Sequence, residues 1–510
     1  MADLINAFAE LSQFELDPAA IRKLPLAFCQ RNRVVILGTL ASDPATPVTV
    51  GMLDTTAQLL VQRISALLHR PIEPVRLNVY EINKAIQIGF STRKECAYSV
   101  NVAQVRGQTA PPQGAPAHLD RILAEAVARR ASDIHIESYL DDVDLRFRLD
   151  GILHQVFTHL NPDNVTEVVN RIKILAEMDI TERRRPQDGR FSVTFIEQGA
   201  RRTIDFRASV LPSVRGEDVV LRVLDSDIGL VGVDMLGMGP EQQEVFTQIL
   251  TNPEGLVLVT GPTGSGKTTT LYAALAHIND GQRKIITAED PIEYYIPKIN
   301  QKQLSQQMGL DDLLRAMLRQ DPDVLLVGEI RDRPTGQTAI MASATGHVVL
   351  GTLHTSDAVG AVMRLRGLGL DDRDVAGTLL AVIGQRLVRA LCPLCSQPAH
   401  PTEEEEHLFG PLLDGVQVFQ AVGCERCYGT GYQGRIGLFE LLYVDQELQE
   451  LISQGVGRSV VLKQALRKGF KTMVDDGLEK VRAGITTLDE LRRVVPLRAI
   501  TTIRHERAPS

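Results

Sequence analysis

Leu256-Val257-Leu258-Val259-Thr260-Gly261-Pro262-Thr263-Gly264-Ser265-Gly266-Lys267-Thr268 is the stretch that decides the fold class. Its first four residues are uniformly apolar, as in a strand buried on both faces. The next eight, Gly261 to Thr268, fit GxxxxGK[ST], and a helix-like stretch, Thr269 to Ile278, follows them. Strand, glycine loop and helix in that order are the context in which this motif binds phosphate. The glycines let backbone N–H groups close around the phosphates, and the helix N-terminus adds partial positive charge. Lys267 is expected to reach the β- and γ-phosphates and Thr268 to hold Mg²⁺. A plain Gly-rich turn is the alternative, and the flanking strand and helix disfavour it. No Asn-Lys-x-Asp guanine reader occurs in the chain, so ATP is favoured over GTP.

Working outward, Lys284-Ile285-Ile286-Thr287, Val324-Leu325-Leu326-Val327 and Val348-Val349-Leu350-Gly351 repeat the buried-strand pattern. From about 240 to 390 such strands alternate with helices, which predicts a parallel α/β sheet. Two acidic stretches fall just past strand ends: Ala288-Glu289-Asp290-Pro291-Ile292-Glu293 and Gly328-Glu329-Ile330-Arg331-Asp332. Open α/β sheets bind ligands at those ends. Nucleotide hydrolysis needs one carboxylate for Mg²⁺ and another to orient water. Glu293 and Glu329 are the candidates, with the division of roles left open and solvated loop acids as the alternative. The Asp that usually ends the second strand of such sites is replaced by Gly328 and Glu329. His354 stands at the end of another strand beside Thr352 and Thr355, placed to sense a γ-phosphate. A packing role remains the alternative for His354, and for His347 the two stand level.

The 510 residues suggest three or four domains at about 150 each. A hydrophobic fraction of 44% against 23% charged is ordinary globular composition and excludes a disordered or collagenous chain. The formal charge of -8 carries no basic footprint for nucleic acid. No apolar run approaches a membrane span, and the N-terminus lacks a signal-like pattern, so a cytoplasmic location is expected. Residues 1–103 read as a small mixed domain, with short apolar runs at Val34–Leu37 and Val48–Leu53 and an amphipathic helix from Ala57 to Leu68. Residues 104–117, rich in Pro, Gly, Gln and Ala, read as an exposed linker. Residues 118–226 read as an α+β domain: Val143, Leu145, Phe147 and Leu149 alternate with charged residues, as do Ile204, Phe206, Ala208 and Val210. A Gly-rich link at 227–239 leads to the core. Residues 431–510 read as helical, with Thr487 and Glu490 spaced as a capping box and the last dozen residues loose.

Four of the six cysteines form two CxxC pairs, Cys392/Cys395 and Cys424/Cys427, 28 residues apart. Four thiolates make a closed tetrahedral Zn²⁺ site, structural because no ligand position stays open. The gap requires a long hairpin or helical excursion within the zinc-binding subdomain, 391–430. Unrelated buried or redox cysteines are the alternative, and Cys29 and Cys96 read simply as buried thiols.

These motifs together resemble one family, the secretion ATPases that assemble type II secretion pseudopili and type IV pili. The resemblance extends through Ala131-Ser132-Asp133-Ile134-His135-Ile136-Glu137, Arg146-Phe147-Arg148-Leu149-Asp150-Gly151, Pro186 to Arg190, Arg207-Ala208-Ser209, Gly216-Glu217, and Arg222-Val223-Leu224. It continues through Gln385-Arg386-Leu387 and Gly429 to Arg435, and covers about residues 118–500. It implies an α/β chain: a RecA-like P-loop ATPase core preceded by α+β domains, the second PAS-like, with a tetracysteine zinc-binding insertion and a helical C-terminal region. It also implies a homohexamer in which ATP binds between the small domain and the core. Arg207 and Arg222 match the family's catalytic arginines, although as strand-face residues alone they read as solvated or paired charges. The cysteine insertion resembles the assembly branch and disfavours pilus retraction. Leu24-Pro25-Leu26-Ala27-Phe28, Arg31 and Val34 to Leu37 resemble the type II N-terminal domain. That resemblance implies a bitopic inner-membrane partner, and the family as a whole implies a polytopic platform protein and peripheral attachment to the inner membrane; the absence of a basic stripe or aromatic stacking platform argues against a nucleic-acid partner. Type II secretion is the favoured system, and pilus extension is the alternative.

Overall fold

The protein is described as a computed structural model. It covers residues 11–507, apart from 15, 26–27, 30–31, 42, 44, 79–80, 83–84, 87–88, 90–97, 103–104, 106–111, 198–199, 225–230 and 306–307. Cys96 and half of the stretch read as a linker, 104 and 106–111, lie outside the described residues, as do Leu26, Ala27 and Arg31. The chain divides into two units, 1–95 and 96–510. No helix among the described residues is long and apolar enough to cross a membrane.

In the first unit, α1 (Pro18–Ile21) precedes β1 (Val34–Ile36) and β2 (Val48–Met52), and α2 (Gln58–Leu68) precedes β3 (Ile72–Arg76). The three strands form one sheet, β1 antiparallel and β3 parallel to β2. Ile21, Leu24, Val35, Val50 and Ile64 fill its core, together with Cys29, whose thiol burial pushes up to about 11.

The second unit opens with β4 (Ser99–Asn101) and α3 (Gly114–Ala128). Thus Gly114 to Ala117, assigned to a linker on composition, belong to a helix, which buries Leu119, Ile122 and Leu123. Next come β5 (Asp133–Ser138), β6 (Val143–Leu149), β7 (Ile152–Gln155), α4 (Val165–Leu175), β8 (Gln187–Glu197), β9 (Ala200–Ser213) and β10 (Gly216–Leu224). They form a seven-stranded sheet of order β4-β8-β9-β10-β5-β6-β7. The alternation in β6 is expressed as predicted, with Val143, Leu145, Phe147 and Leu149 buried and the residues between them half-buried. Lys173 of α4, fully buried, donates to Glu217 of β10 at 2.5 Å and to the Glu182 carbonyl at 2.8 Å. Glu217 of the Gly216-Glu217 motif therefore fastens helix to sheet.

The segment read as a Gly-rich link at 227–239 is partly core. Val233, Leu236 and Met238 pack with Phe246, Tyr272 and Phe439. The core itself runs α5 (Pro240–Ile249), β11 (Gly255–Thr260), α6 (Lys267–Ile278), β12 (Ile285–Glu289), β13 (Asn300–Gln303), α7 (Leu310–Leu318), β14 (Val324–Val327), α8 (Arg333–Ala344), β15 (Val348–Leu353), α9 (Ala358–Gly367), α10 (Asp372–Thr378) and β16 (Leu379–Leu391). Their sheet has the order β13-β12-β14-β15-β11-β16 and is parallel throughout. Every residue of β11, β12, β14 and β15 is buried, which is why their sequences are near-continuous apolar runs, broken in β12 by Thr287 and the buried Glu289.

The cysteine region contains both of the alternatives its spacing allowed, a hairpin and a helix. β17 (Ser396–Ala399) and β18 (Val418–Ala421) pair as an antiparallel hairpin, and α11 (Glu403–Phe409) lies between them. The segment from 431, expected to be helical, opens instead with a twelve-residue strand, β19 (Tyr432–Tyr443), antiparallel to β16 at the sheet edge. Helices then follow: α12 (Gln446–Ser453), α13 (Arg458–Arg467), α14 (Met473–Arg482), α15 (Leu488–Val494) and α16 (Leu497–Arg507). The last of these corrects the expectation of a loose tail: Ile500 and Ile503 are buried, and Arg504 donates to the carbonyls of His407 and Leu408. Thr487 caps α15 by accepting the Glu490 N–H, but the Glu490 carboxylate does not complete the box. It is held instead by Arg389 and Arg493.

Candidate functional site

β11 delivers the glycine loop to the edge of a cleft of about 1130 Å³, and α6 leaves from it. Gly264 and Gly266 have φ of +77° and +87°, a region that costs other L-residues. A Cβ on Gly261 would stand 2.3 Å from the Gln385 carbonyl, so close packing against β16 demands glycine there. At Gly264, by contrast, a Cβ would meet nothing within 4 Å, and the loop faces open space. Pro262, Thr263 and Thr268 are exposed in the cleft wall. The Ser265 hydroxyl is buried with no partner among the described residues. Lys267 is 9% exposed and donates to the carbonyls of Gly261 at 2.9 Å and Pro262 at 3.0 Å. Burial lowers its pKa and nearby Arg386 adds to this, while the Glu329 charge opposes it.

Opposite the loop, Glu329 is bound by Arg331 at 2.6 Å and by His354 Nε2 at 3.2 Å. Burial pushes its carboxyl up. The Arg331 hydrogen bond and the charges of His354, Arg331 and Lys267 outweigh that and hold it below its ordinary value. Glu293 also lines the cleft and is exposed. The cleft is therefore a cationic loop facing an ionised carboxylate, the arrangement suited to a metal-bound polyphosphate.

The α+β domain supplies the remaining wall. Arg222 reaches the cleft from β10 and donates through Nε to Asp133 at 3.2 Å. Arg148 pairs with the other oxygen of Asp133 at 3.5 Å. Arg207 lies directly opposite Arg222 in the β9–β10 register but is not part of the cleft lining. Burial lowers its guanidinium pKa and the Glu293 charge opposes that, so Arg207 lies within electrostatic reach of Glu293. One of the two arginines thus faces the cleft and the other sits one strand behind it.

The two histidines separate. His347 Nδ1 lies 2.9 Å from the Ala342 carbonyl and closes the end of α8, a structural role. His354 alone meets the cleft. Two acids of the quoted stretches are also structural. Asp332 caps α8 by accepting the Thr335 N–H, and Glu289, 4% exposed, accepts from Thr287, Gln301 and the Tyr272 hydroxyl. Sequence reasoning assigned no task to Asp133 or Arg386, although both lie inside motifs it quoted. Asp133 aims Arg222. Arg386 lines the cleft and donates to the Ser356 carbonyl at 3.1 Å.

The four cysteine sulfurs come together although 28 residues separate the pairs. All lie within 4.8 Å of one another, with Cys392–Cys424 and Cys395–Cys427 at 3.8 Å and Cys424–Cys427 at 3.6 Å. Cys427 Sγ accepts the N–H groups of Cys424 at 3.1 Å and Gly431 at 3.3 Å. Burial pushes its thiol up, but these bonds outweigh it and favour the thiolate, the form that binds metal.

The family model described as "Type II/IV secretion system protein" matches residues 113–493, and the MshEN domain model matches residues 7–94. The type II secretion system ATPase E of Vibrio cholerae is 45% identical over 381 residues, 74% of each chain. The type IV pilus assembly ATPase PilB of Myxococcus xanthus is 35% identical over 506 residues, 94% of this chain and 87% of its own. Among solved structures, the ADP-bound pilus retraction motor PilT matches 74% of this chain and 96% of its own, at 27% identity and a TM-score of 0.50. The chain belongs to the type II/IV secretion system protein family and is one of its ATPases.

Proposed function

We propose that this ATPase works as a homohexamer on the cytoplasmic face of the inner membrane. There it drives pseudopilus assembly, and so protein export, by a type II secretion system. The observation that carries the catalytic part is the convergence of Lys267, Glu329 and His354 from the core with Arg222 from the α+β domain around one cleft. ATP is the substrate, and its phosphates lie against Gly261 to Thr268. Thr268 and one of Glu293 and Glu329 would hold Mg²⁺. The exposed hydroxyl at the start of α6 and the ionised Glu329 are hard oxygen donors that fit the ion. When bound it neutralises phosphate charge. The other carboxylate orients the attacking water. Arg222, with Arg207 behind it, stabilises charge on the transferring group, and His354 reports the γ-phosphate. Because the arginines stand on one domain and the loop on another, turnover that opens and closes the cleft moves one against the other.

The cysteine cluster suits Zn²⁺. Bonds of about 2.3 Å in a tetrahedron put sulfurs about 3.8 Å apart, against the 3.6 and 3.8 Å found here. Four ligands make the site structural, a clasp for the hairpin. The first unit, matching the MshEN model, is the partner-binding domain for a bitopic inner-membrane protein. A polytopic platform protein receives the stroke. The net charge gives no reason to add nucleic acid.

Pilus extension is a second reading with an observation of its own. The Myxococcus pilus relative matches 94% of the chain, and so takes in most of the region before 113. The test has two parts. Glu329→Gln in the full chain should lower ATP turnover by about a hundredfold or more, and unchanged turnover rejects its role. The full chain should bind the cytoplasmic domain of the type II bitopic protein. Selective binding to the pilus counterpart instead moves the output to pilus extension.

A further inference from the structure

Glu440 is 5% exposed in the middle of β19 and belongs to none of the motifs assigned above. Its side chain lies over Gly384, its register partner on β16. A Cβ on Gly384 would stand 2.7 Å from Glu440 Cγ, so the glycine leaves the space the carboxylate fills. One oxygen accepts the N–H of Ala358 at 2.6 Å, and the other accepts the N–H of Met473 at 3.1 Å. Ala358 and Met473 are the first residues of α9 and α14. One carboxylate thus satisfies an orphan N–H at two helix N-termini from elements 33 and 82 residues away.

The segment that ends at Ala358 begins at His354. It is held at its other end by Thr260, the last residue before the glycine loop. The hydroxyls of Thr260 and Thr355 lie 2.6 Å apart, and the Thr355 N–H donates to Thr260 Oγ1 at 2.9 Å. Thr260, Gly384 and Glu440 form one row across β11, β16 and β19. Between the two anchors, Arg386 of the cleft holds the Ser356 carbonyl.

We infer that Glu440 is a positioning residue of the ATPase, clamping the His354 segment and the C-terminal helix α14 into one body. Its ionised form makes both bonds. Protonation puts an O–H where an N–H donor points, and one bond is lost. Burial pushes this carboxyl up to about 7. The Ala358 bond opposes that shift, Asp357 adds to it, and the Met473 bond and Arg458 of α13 oppose it. From β16, Arg386 is the cation that feels the Glu440 charge. On α14, Asp476 accepts the Phe439 N–H and is paired with Lys480. Burying the charge costs more than the two bonds give back, so the clamp loosens as pH rises through neutrality.

The inference rests on His354 standing at the working end of the cleft, so the experiment reads the clamp separately from turnover. ATP turnover of the full chain is measured at saturating Mg·ATP from about pH 6 to about pH 8. Amide hydrogen-exchange protection of Ala358 and Met473 is measured over the same range, corrected for intrinsic exchange. The ionised fraction of a group titrating at about 7 changes about tenfold over that range. Wild-type turnover should fall about tenfold, with protection of both amides falling alongside. Glu440→Gln presents an amide N–H₂ to one of the two N–H donors. It should lack that fall and stay near the acid-side value. Parallel pH profiles for the two proteins overturn the inference. So does protection of the two amides that is independent of pH in the wild type, a measurement that stands even if the variant fails to fold. Protection that responds while turnover does not overturns the link from clamp to cleft.

Discussion

Replacing Glu490 by Gln tests the junction that holds the cleft's far wall. The Glu490 carboxylate, 1% exposed, accepts five hydrogen bonds. Three come from the Arg389 backbone N–H, Nε and Nη2 at 2.8, 3.0 and 2.8 Å, and two from Arg493 Nε and Nη2 at 2.8 and 2.7 Å. Burial pushes the carboxyl up, but the Arg493 and Arg389 bonds outweigh it and bring it down to about 2 from 4.5. A depressed carboxylate contributes stability that is complete above its unfolded pKa and is lost as pH falls from about 4.5 toward 2. At about 1.36 kcal/mol per unit the charge is worth about 3 kcal/mol at neutral pH. Gln keeps the volume and one acceptor, so that figure is the share of the charge. Because a chain of several domains need not unfold in one step, the assay is local: hydrogen exchange at the Arg389 amide, whose acceptor is Glu490 Oε2. A loss of about 3 kcal/mol corresponds to about a hundredfold loss of protection. Arg493 lines the cleft, so turnover should fall as well. A loss of protection smaller than about threefold would falsify the argument, because it would mean the two guanidiniums are as well solvated without the charge as with it.

Lys267→Ala removes the buried cation of the loop, and nucleotide affinity should fall at least tenfold by equilibrium titration, since a charge-assisted hydrogen bond is worth about 1.5–3 kcal/mol. Arg222→Ala should lower the maximal rate about a thousandfold or more while leaving nucleotide affinity nearly intact; an affinity loss of the same size assigns Arg222 to binding instead. Elemental analysis should give one Zn²⁺ per chain. Cys427→Ser should abolish it and expose residues 396–423 to protease, whereas metal-free wild type resisting protease there rejects a structural metal. For Glu440, whose carboxyl is raised, the linkage has the opposite sign to Glu490. Wild-type stability relative to Glu440→Gln should fall as pH rises from about 4.5 to about 7, by about 3 kcal/mol, in denaturant melts followed at α14.

The parts of this molecule that could be read from sequence are those whose signal is local. The glycine loop carries its own proof, because the strand before it and the helix after it are contiguous in the chain. The parallel strands read as apolar runs because both faces are covered, and β6 read as a half-buried strand because its residues alternate. β19 escaped because its partner, β16, begins 53 residues earlier, at Leu379. α16 escaped because its two fully buried side chains, Ile500 and Ile503, sit among charged and hydroxyl residues, and two apolar positions do not make a stripe. The same division runs through the site. Residues that line the cleft sit in the turns just past strand ends or at the first turn of the helix that follows, where an acidic, basic or imidazole side chain is conspicuous, and the sequence singles out Lys267, Glu293, Glu329 and His354 in that way. Residues that aim them are ordinary acids within strands and helices. Asp133 on β5 holds Arg222 on β10 across 89 residues of chain. Glu490 on α15 holds Arg389 on β16 across 101. Glu440 meets Ala358 across 82. Asp133 lies in a motif and Glu490 in a capping-box spacing, but nothing within a few residues of any of the three shows which distant group its carboxylate holds. What distinguishes it is burial together with donors brought from elsewhere, and both are properties of the folded chain. A motif search therefore finds the chemistry of this ATPase and passes over the parts that keep it in register. Those parts are where substitutions should alter turnover without touching the nucleotide.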